Sequence, residues 1–157
     1  MTDEIERRVW HLPDEAAMEA MGRVLIPLLP RGAVIFLHGE LGAGKTTLVR
    51  GILRGLGYAA SVKSPTYTII EPHDLGFGMV YHLDLYRISD PSEIDFLGID
   101  ELYGEGMLTC IEWPDRGAGH LPPPDAEIWL SVHGTGRRLE LAVASRGGAA
   151  EPLRGPG

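Results

Sequence analysis

Hydrophobic and polar positions change periodicity several times along the first 40 residues. Ile5–Leu12 has the composition of a strand, and a helix face then recurs at Ala17, Met18, Met21, Leu25 and Leu28. Asp14 precedes this helix and is a suitable N-cap. The run Ala33–His38 is apolar without interruption, which is typical of a strand buried on both faces. The chain is therefore predicted to begin with a strand, a helix and a buried strand.

The later segments continue this alternation. A glycine-rich turn covers residues 39–46, and the helical segment Thr46–Leu56 ends at Gly57. Further strands are predicted at Tyr67–Ile70, Met79–Leu83, Met107–Ile111, Ile128–Val132 and Leu139–Val143. Strands that alternate with helices around a buried strand predict an α/β fold.

A short helix is predicted at Asp90-Pro91-Ser92-Glu93. Asp90 takes the N-cap position, Pro91 the first helical position and Glu93 the third. In this arrangement each acidic side chain can accept a hydrogen bond from the backbone N–H of the other residue. Gly98 is predicted to end the helix.

Composition limits the class of protein. A length of 157 residues with 44% hydrophobic content suits one domain with its own core, expected over residues 1–144. The Gly- and Pro-rich residues 145–157 are expected to form a flexible tail. Cys110, the single cysteine, excludes an internal disulfide and a multi-cysteine zinc site. Without a membrane-spanning apolar run or a signal peptide, the protein is expected in the cytoplasm.

The charges are unevenly distributed. Residues 1–70 carry a net charge of +1, residues 71–136 carry −11 and residues 137–157 carry +2, which sum to the −8 of the whole chain. A middle segment this acidic is unsuited to binding a phosphate backbone directly. A solvated surface is its simplest interpretation, and a docking surface for a basic partner is the alternative.

Residues 39–46 match the phosphate-binding pattern G-x-x-x-x-G-K-[ST] in full. Glycines let successive backbone N–H groups close around phosphate oxygens, and the following helix adds the positive end of its dipole. Lys45 supplies a charge for the β- and γ-phosphates, and the Thr46 hydroxyl can bind Mg²⁺. The predicted nucleotide-binding residues are Gly39, Glu40, Leu41, Gly42, Ala43, Gly44, Lys45, Thr46 and Thr47.

A second Mg²⁺ anchor is expected at the end of a neighbouring strand. Asp84 and Glu112 each follow an apolar run directly, and the residue pattern alone does not rank them. His38 and His82, also near strand ends, are expected to be hydrogen-bonded structural groups. Trp113 either packs in the core or covers the nucleotide, and both interpretations stay open.

Four segments resemble one protein family in order and spacing. They are GELGAGKTT (39–47), KSPTYTIIEP (63–72), YHLDLYRISDPSEIDFLGID (81–100) and IEWPDR (111–116). They look like the TsaE (YjeE) family, the small P-loop ATPases of tRNA threonylcarbamoyladenosine synthesis, and the resemblance runs from about Ile5 to Val143. It implies a three-layer P-loop domain with a central, mainly parallel sheet flanked by helices.

The resemblance also implies roles for individual residues. Thr46 and Glu112 would hold Mg²⁺, and Asp84 would position or activate the attacking water. Thr66 would sense the γ-phosphate, and Trp113 matches the family's tryptophan beside the catalytic glutamate. Contacts with the nucleotide base are implied at His11, Asp115 and Arg137.

Such proteins join the TsaB and TsaD subunits and hydrolyse ATP to ADP with low intrinsic activity. They support the enzyme that moves a threonylcarbamoyl group onto the tRNA adenosine beside the anticodon, so they meet tRNA only through the complex. This resemblance implies ATP, ADP and Mg²⁺ as ligands. It also makes the acidic region around residues 90–101 a candidate docking face.

Two other functions share the phosphate-binding loop. A small kinase acting on a metabolite usually closes an arginine-bearing lid over the phosphates, and residues 71–136 offer only Arg87 and Arg116. A GTP-dependent switch reads guanine through an Asn/Thr-Lys-x-Asp motif. The only lysine outside the loop, Lys63, is followed by Ser-Pro, so that motif is absent and adenine is favoured.

Overall fold

A seven-stranded sheet forms the centre of the molecule, within the residues that the structure describes. A computed structural model describes residues 5–65, 68–144 and 153. The strands are β1 (Ile5–Leu12), β2 (Ala33–His38), β3 (Ile70–Asp74), β4 (Met79–Asp84), β5 (Leu108–Glu112), β6 (Ala126–His133) and β7 (Gly136–Ala144). Their order across the sheet is β1-β7-β6-β2-β5-β4-β3.

The four central strands run parallel and the flanking strands do not. β2 pairs in parallel with β5 and β6, and β5 pairs in parallel with β4. The β1–β7, β6–β7 and β3–β4 pairs are antiparallel. Because β2, β4 and β5 point the same way, the residues that follow them meet at one edge of the sheet.

Helices cover the sheet from both sides, which confirms the predicted layered fold. The α-helices are α1 (Glu15–Leu25), α2 (Lys45–Gly55) and α3 (Ile99–Glu105), and 3₁₀ helices lie at Ile26–Leu28, Pro91–Phe96 and Pro114–Gly117. α1 and α2 pack in one core with Ile35 and Leu37 of β2. α3 and the helix at Pro91–Phe96 pack in the other, with Val34. Among the described residues, no helix is long and apolar enough to cross a membrane.

α1 and α2 are in backbone contact through two glycines. A Cβ placed on Gly51 would lie 2.0 Å from the carbonyl oxygen of Glu19, and one on Gly22 would lie 2.0 Å from the carbonyl carbon of Gly51. Arg50 adds ion pairs with Glu15 at 3.1 Å and with Glu19 at 3.3 Å. Since α2 begins at the phosphate-binding loop, these contacts fix α1 against the start of the site.

The structure confirms most of the predicted elements. β1 and β2 have the predicted bounds, and Asp14 caps α1 by accepting a hydrogen bond from the Ala17 N–H at 2.8 Å. The continuous apolar run of β2 fits its burial from both faces. β7 begins at Gly136 rather than Leu139, because its pairing with β6 continues to the hairpin turn.

The predicted strand Tyr67–Ile70 is wrong in its position. The strand in that region, β3, covers Ile70–Asp74 and includes Pro72. Its pairing with β4 sets its bounds, and proline is tolerated because β3 lies at the sheet edge. Tyr67 lies outside the described residues.

The region around residues 90–105 also differs from the prediction. Pro91–Phe96 is a 3₁₀ helix, where the Asp90 carboxylate accepts from the Ser92 N–H at 2.9 Å and Glu93 accepts from the Ser89 N–H at 3.4 Å. The predicted reciprocal cap is therefore replaced by two separate hydrogen bonds. Gly98 ends this helix as predicted, but the chain then starts α3, which the sequence did not signal.

Of the segment predicted to be a flexible tail, the structure describes Leu153 alone. Its side chain is buried in the core that α1 and α2 share. Its N–H donates a hydrogen bond to the carbonyl of Leu29 at 2.7 Å. The flexibility of residues 145–157 stays a prediction.

Candidate nucleotide-binding and active site

The phosphate-binding loop connects the end of β2 to the start of α2. Gly44 occupies the N-cap position of α2 with φ +106°, a conformation that residues with a side chain rarely adopt. No side chain caps α2, so the first N–H groups of the helix lack the partner that a capping residue supplies. Such N–H groups at the positive end of a helix dipole suit a bound phosphate.

Lys45 lies inside the site, where burial lowers the pKa of its ammonium group while Glu112 and Asp84 oppose that change. The ammonium donates hydrogen bonds to the carbonyls of Gly39 and Glu40 and lies 4.2 Å from the centroid of the Trp113 ring. A buried ammonium that contacts only carbonyl oxygens and an aromatic ring is stabilised further when a ligand brings negative charge next to it.

The two candidate carboxylates at the strand ends lie side by side. Asp84 and Glu112 are register partners at the ends of β4 and β5. The Thr46 hydroxyl donates to Oε2 of Glu112 at 3.4 Å. Burial raises the pKa of the Asp84 carboxyl, and the Tyr86 N–H, which donates to its Oδ1 at 3.0 Å, opposes that change. The geometry therefore joins Thr46 to Glu112 and leaves Asp84 beside the pair.

Trp113 both packs against the core and lines the site. Its ring packs against the core that contains Ile94 and Ile99, and it also lines the cavity around Lys45. Its backbone adopts φ +55°, which is strained for an aromatic residue. The strained turn points the Trp113 ring at Lys45. The centroid of the Tyr86 ring lies 5.0 Å from the centroid of the Trp113 ring.

Two cavities meet along the phosphate-binding loop and share Gly42, Gly44 and Thr47. The first, the catalytic cavity, is also lined by Leu41, Lys45, Thr46, Ser64, Asp84, Glu112 and Trp113. The second, the side cavity, is also lined by Asp14, Glu15, Met18, Thr135 and Arg137. The two cavities are therefore neighbours along the loop, and a ligand with phosphates in the catalytic cavity would have the side cavity next to it.

The three residues implied to contact the base are not brought together. Arg137 lines the side cavity and donates to the carbonyl of Gly42 at 3.3 Å. His11 lines neither of the two cavities and packs edge-on against His133, with ring centroids 6.4 Å apart. Asp115 is exposed at the start of the Pro114–Gly117 helix and also lines neither cavity.

Thr66 lies outside the described residues, so its implied role stays a prediction. Ser64, two positions earlier, lines the catalytic cavity. No local sequence pattern marks Ser64, or the side-cavity residues Asp14, Met18 and Thr135, as parts of the site. Asp14 and Met18 were recognised as a cap and a core residue of α1, but their approach to the loop depends on the Gly22–Gly51 contact. No local sequence signal marks that contact.

The protein donors suit Mg²⁺ that arrives with a nucleotide. Among the described residues, no group of three or more His, Cys, Asp or Glu side chains is placed to hold a metal ion. Thr46 and Glu112 offer one hydroxyl and one carboxylate at the phosphate-binding loop. Mg²⁺ in nucleotide sites is held in this way, by one or two protein groups together with phosphate oxygens and water.

Comparisons with known proteins identify relatives that match most of the chain. The family model described as threonylcarbamoyl adenosine biosynthesis protein TsaE matches residues 12–139. The protein named tRNA threonylcarbamoyladenosine biosynthesis protein TsaE from Haemophilus influenzae is 38% identical over 142 residues, covering 87% of this chain and 90% of its own. The protein of that name from Bacillus subtilis is 33% identical, covering 92% and 89%.

A solved structure agrees with the sequence comparisons. The crystal structure of Bacillus subtilis YdiB superposes with a TM-score of 0.75 at 26% identity, covering 92% of this chain and 90% of that one. The family model spans well over half of the chain, and the relatives are matched over most of their length. On these grounds, the chain belongs to the TsaE family.

Proposed function

We propose that this chain is a Mg²⁺-dependent ATPase that serves tRNA threonylcarbamoyladenosine biosynthesis in the cytoplasm as a partner-stimulated accessory subunit. The observation that carries the proposal is the convergence of Lys45, Thr46, Asp84 and Glu112 on one cavity beside the phosphate-binding loop. The names of the relatives supply the pathway. Adenine is favoured over guanine because the guanine-reading motif is absent from the sequence.

Each of these residues has a chemical task in the proposed reaction. The loop N–H groups and Lys45 bind the phosphates, and Thr46 and Glu112 hold the ion. Mg²⁺, when bound, neutralises charge on the β- and γ-phosphate oxygens. Asp84 orients the attacking water, because it lines the same cavity and lies beside Glu112 as its register partner at the end of β4.

The proposal is tested by phosphate release from the purified chain, alone and with TsaB and TsaD. We expect slow hydrolysis of ATP by the chain alone and a clear increase when both partners are present. The same reactions with tRNA and a preformed, activated threonylcarbamoyl donor would report formation of the modified nucleoside. Transfer of the γ-phosphate to a small metabolite would instead identify a kinase and overturn the proposal.

The proposed partners need a docking surface, and Phe96 marks one. Its side chain is 88% exposed, the largest exposed fraction among the described large hydrophobic residues. The surrounding segment has no lysine or arginine between Arg87 and Arg116. Within residues 90–101, the exposed carboxylates are Asp90, Glu93, Asp95, Asp100 and Glu101. An exposed apolar side chain in a segment rich in exposed carboxylates suits a basic protein surface with an apolar pocket, and the negative charge of the segment repels tRNA.

We expect Phe96→Ala to weaken binding to the TsaB–TsaD pair at least about tenfold, because burial of a phenylalanine side chain contributes about 1.5–3 kcal/mol. Charge reversal at Glu93 and Asp95 is expected to weaken binding further at low salt. Val132→Ala is the matched control, since Val132 is 54% exposed on β6, outside this segment. Calorimetric titration measures the affinity. Unchanged binding by Phe96→Ala would place the docking surface elsewhere.

A further inference from the structure

A buried histidine, His82, contacts the carboxylate of Glu112. His82 on β4 is 0% exposed, and its Nε2 lies 2.5 Å from Oε2 of Glu112. His82 is the register partner of Cys110, two residues before Glu112 on β5. Alternation along both strands therefore points His82 and Glu112 to the same face of the sheet, the one that α2 covers.

The hydrogen bond has a defined direction. A carboxylate accepts, so Nε2 of His82 carries the hydrogen and donates to Glu112. The other ring nitrogen, Nδ1, is buried without a hydrogen-bond partner within the described part of the chain. A bare acceptor nitrogen is tolerated at such a position more readily than an N–H group would be. The surroundings thus favour the tautomer that donates to Glu112.

This hydrogen bond acts on the carboxylate that Thr46 also contacts. Oε2 of Glu112 accepts from His82 at 2.5 Å and from the Thr46 hydroxyl at 3.4 Å. Glu112 is 3% exposed, so few water molecules are available to orient it. A glutamate side chain has three rotatable bonds, and a donor fixed in the core removes much of that freedom.

We propose that His82 is a positioning residue for Glu112: it holds the carboxylate toward Thr46, in the orientation needed to bind the Mg²⁺ that accompanies a nucleotide. The inference rests on the proposed function, because it assigns Glu112 to that ion. Hydrogen bonds to a metal-binding carboxylate typically change metal affinity 10- to 100-fold. Substitution of His82 is therefore expected to change the affinity for Mg²⁺ and not the binding of phosphates by the loop.

The test is a Mg²⁺ titration that follows binding of a fluorescent, non-hydrolysable ATP analogue. His82→Leu is expected to raise the Mg²⁺ concentration for half-maximal binding by about 10- to 100-fold. Binding of the analogue in EDTA is expected to stay within twofold of wild type. His82→Gln, whose amide nitrogen reaches the position of Nε2, is expected to restore a near-wild-type titration.

His73 provides the matched control. It is the other buried histidine of the described chain, 2% exposed on β3; its ring packs against Tyr58, and the carboxylate that acts on it electrostatically is Glu71 rather than Glu112. His73→Leu is expected to leave the Mg²⁺ titration unchanged. Thermal unfolding of every variant checks the fold.

If His82→Leu does not fold, the comparison moves to His82→Gln against His82→Asn, whose shorter amide does not reach Glu112. A wild-type Mg²⁺ titration by folded His82→Leu, or equal titrations by the Gln and Asn variants, would overturn this inference and leave the proposed function intact. A wild-type protein that binds the analogue without any Mg²⁺ dependence would contradict the proposed function itself.

Discussion

Replacing Lys45 with alanine is expected to abolish nucleotide binding, with a loss of affinity above about 100-fold. A charge-assisted hydrogen bond contributes about 1.5–3 kcal/mol, and Lys45 would make more than one to the phosphates. Lys45 is 5% exposed and its ammonium lies against Trp113, so water replaces the ammonium poorly. Equilibrium binding of a fluorescent ATP analogue measures the effect.

The chain contains its own control for this substitution. Lys63 is the only other lysine and is exposed, so Lys63→Ala removes the same charge from the surface. We expect Lys63→Ala to bind the analogue as wild type does. Lys45→Met keeps the aliphatic part of the buried side chain and separates loss of charge from loss of packing. Tight binding by a folded Lys45→Met would show that the loop does not bind phosphates as proposed.

Replacing Glu112 with alanine is expected to separate binding from turnover. The phosphate-binding loop and Lys45 are intact in this variant, so part of the nucleotide affinity remains. Hydrolysis is expected to fall at least about 100-fold, equivalent to about 2.7 kcal/mol of transition-state stabilisation. Phosphate release with TsaB and TsaD present, compared with analogue binding by the same protein, measures both quantities.

A second strand glutamate provides the control for Glu112. Glu127 on β6 also contacts a histidine, with 2.7 Å between its Oε2 and Nε2 of His38, but it lines neither the catalytic nor the side cavity. Glu127→Ala is expected to hydrolyse ATP at the wild-type rate. Because Glu112→Ala also leaves the buried donor of His82 without its acceptor, Glu112→Gln is measured beside it. Wild-type hydrolysis by Glu112→Ala would remove the Mg²⁺ assignment.

Local patterns predict the centre of this fold better than its margins. β2 was predictable because burial from both faces leaves an unbroken apolar run, and α1 because Asp14 is an effective cap. β3 was misplaced because an edge strand takes its bounds from its single partner. α3 was missed because Gly98, a typical helix end, here separates two consecutive helices.

The site also contains residues that could be predicted from the sequence and residues that could not. The loop residues and Lys45 form one continuous motif, so their proximity follows from the sequence. The hydrogen bond between His82 and Glu112 depends on the register of β4 against β5, which is set by packing across the whole sheet. Arg137 is implied by the family resemblance and not by its local sequence. Thr135 reaches the side cavity from the turn between β6 and β7, nearly 90 residues beyond the loop. Such neighbours are visible only in three dimensions.

The glycine contact between α1 and α2 determines which parts of the site can move. Two helices that touch backbone to backbone, with no side chain between them, have no intervening layer to rearrange when they slide or tilt. Asp14 and Met18, the N-cap and a core residue of α1, therefore form a rigid wall of the side cavity. The catalytic cavity instead has a wall at Trp113, whose left-handed backbone turn is held through side-chain contacts with Lys45 and Tyr86. A ligand bound along the loop would therefore meet one wall fixed by backbone packing, at Asp14 and Met18, and another held by side-chain contacts, at Trp113.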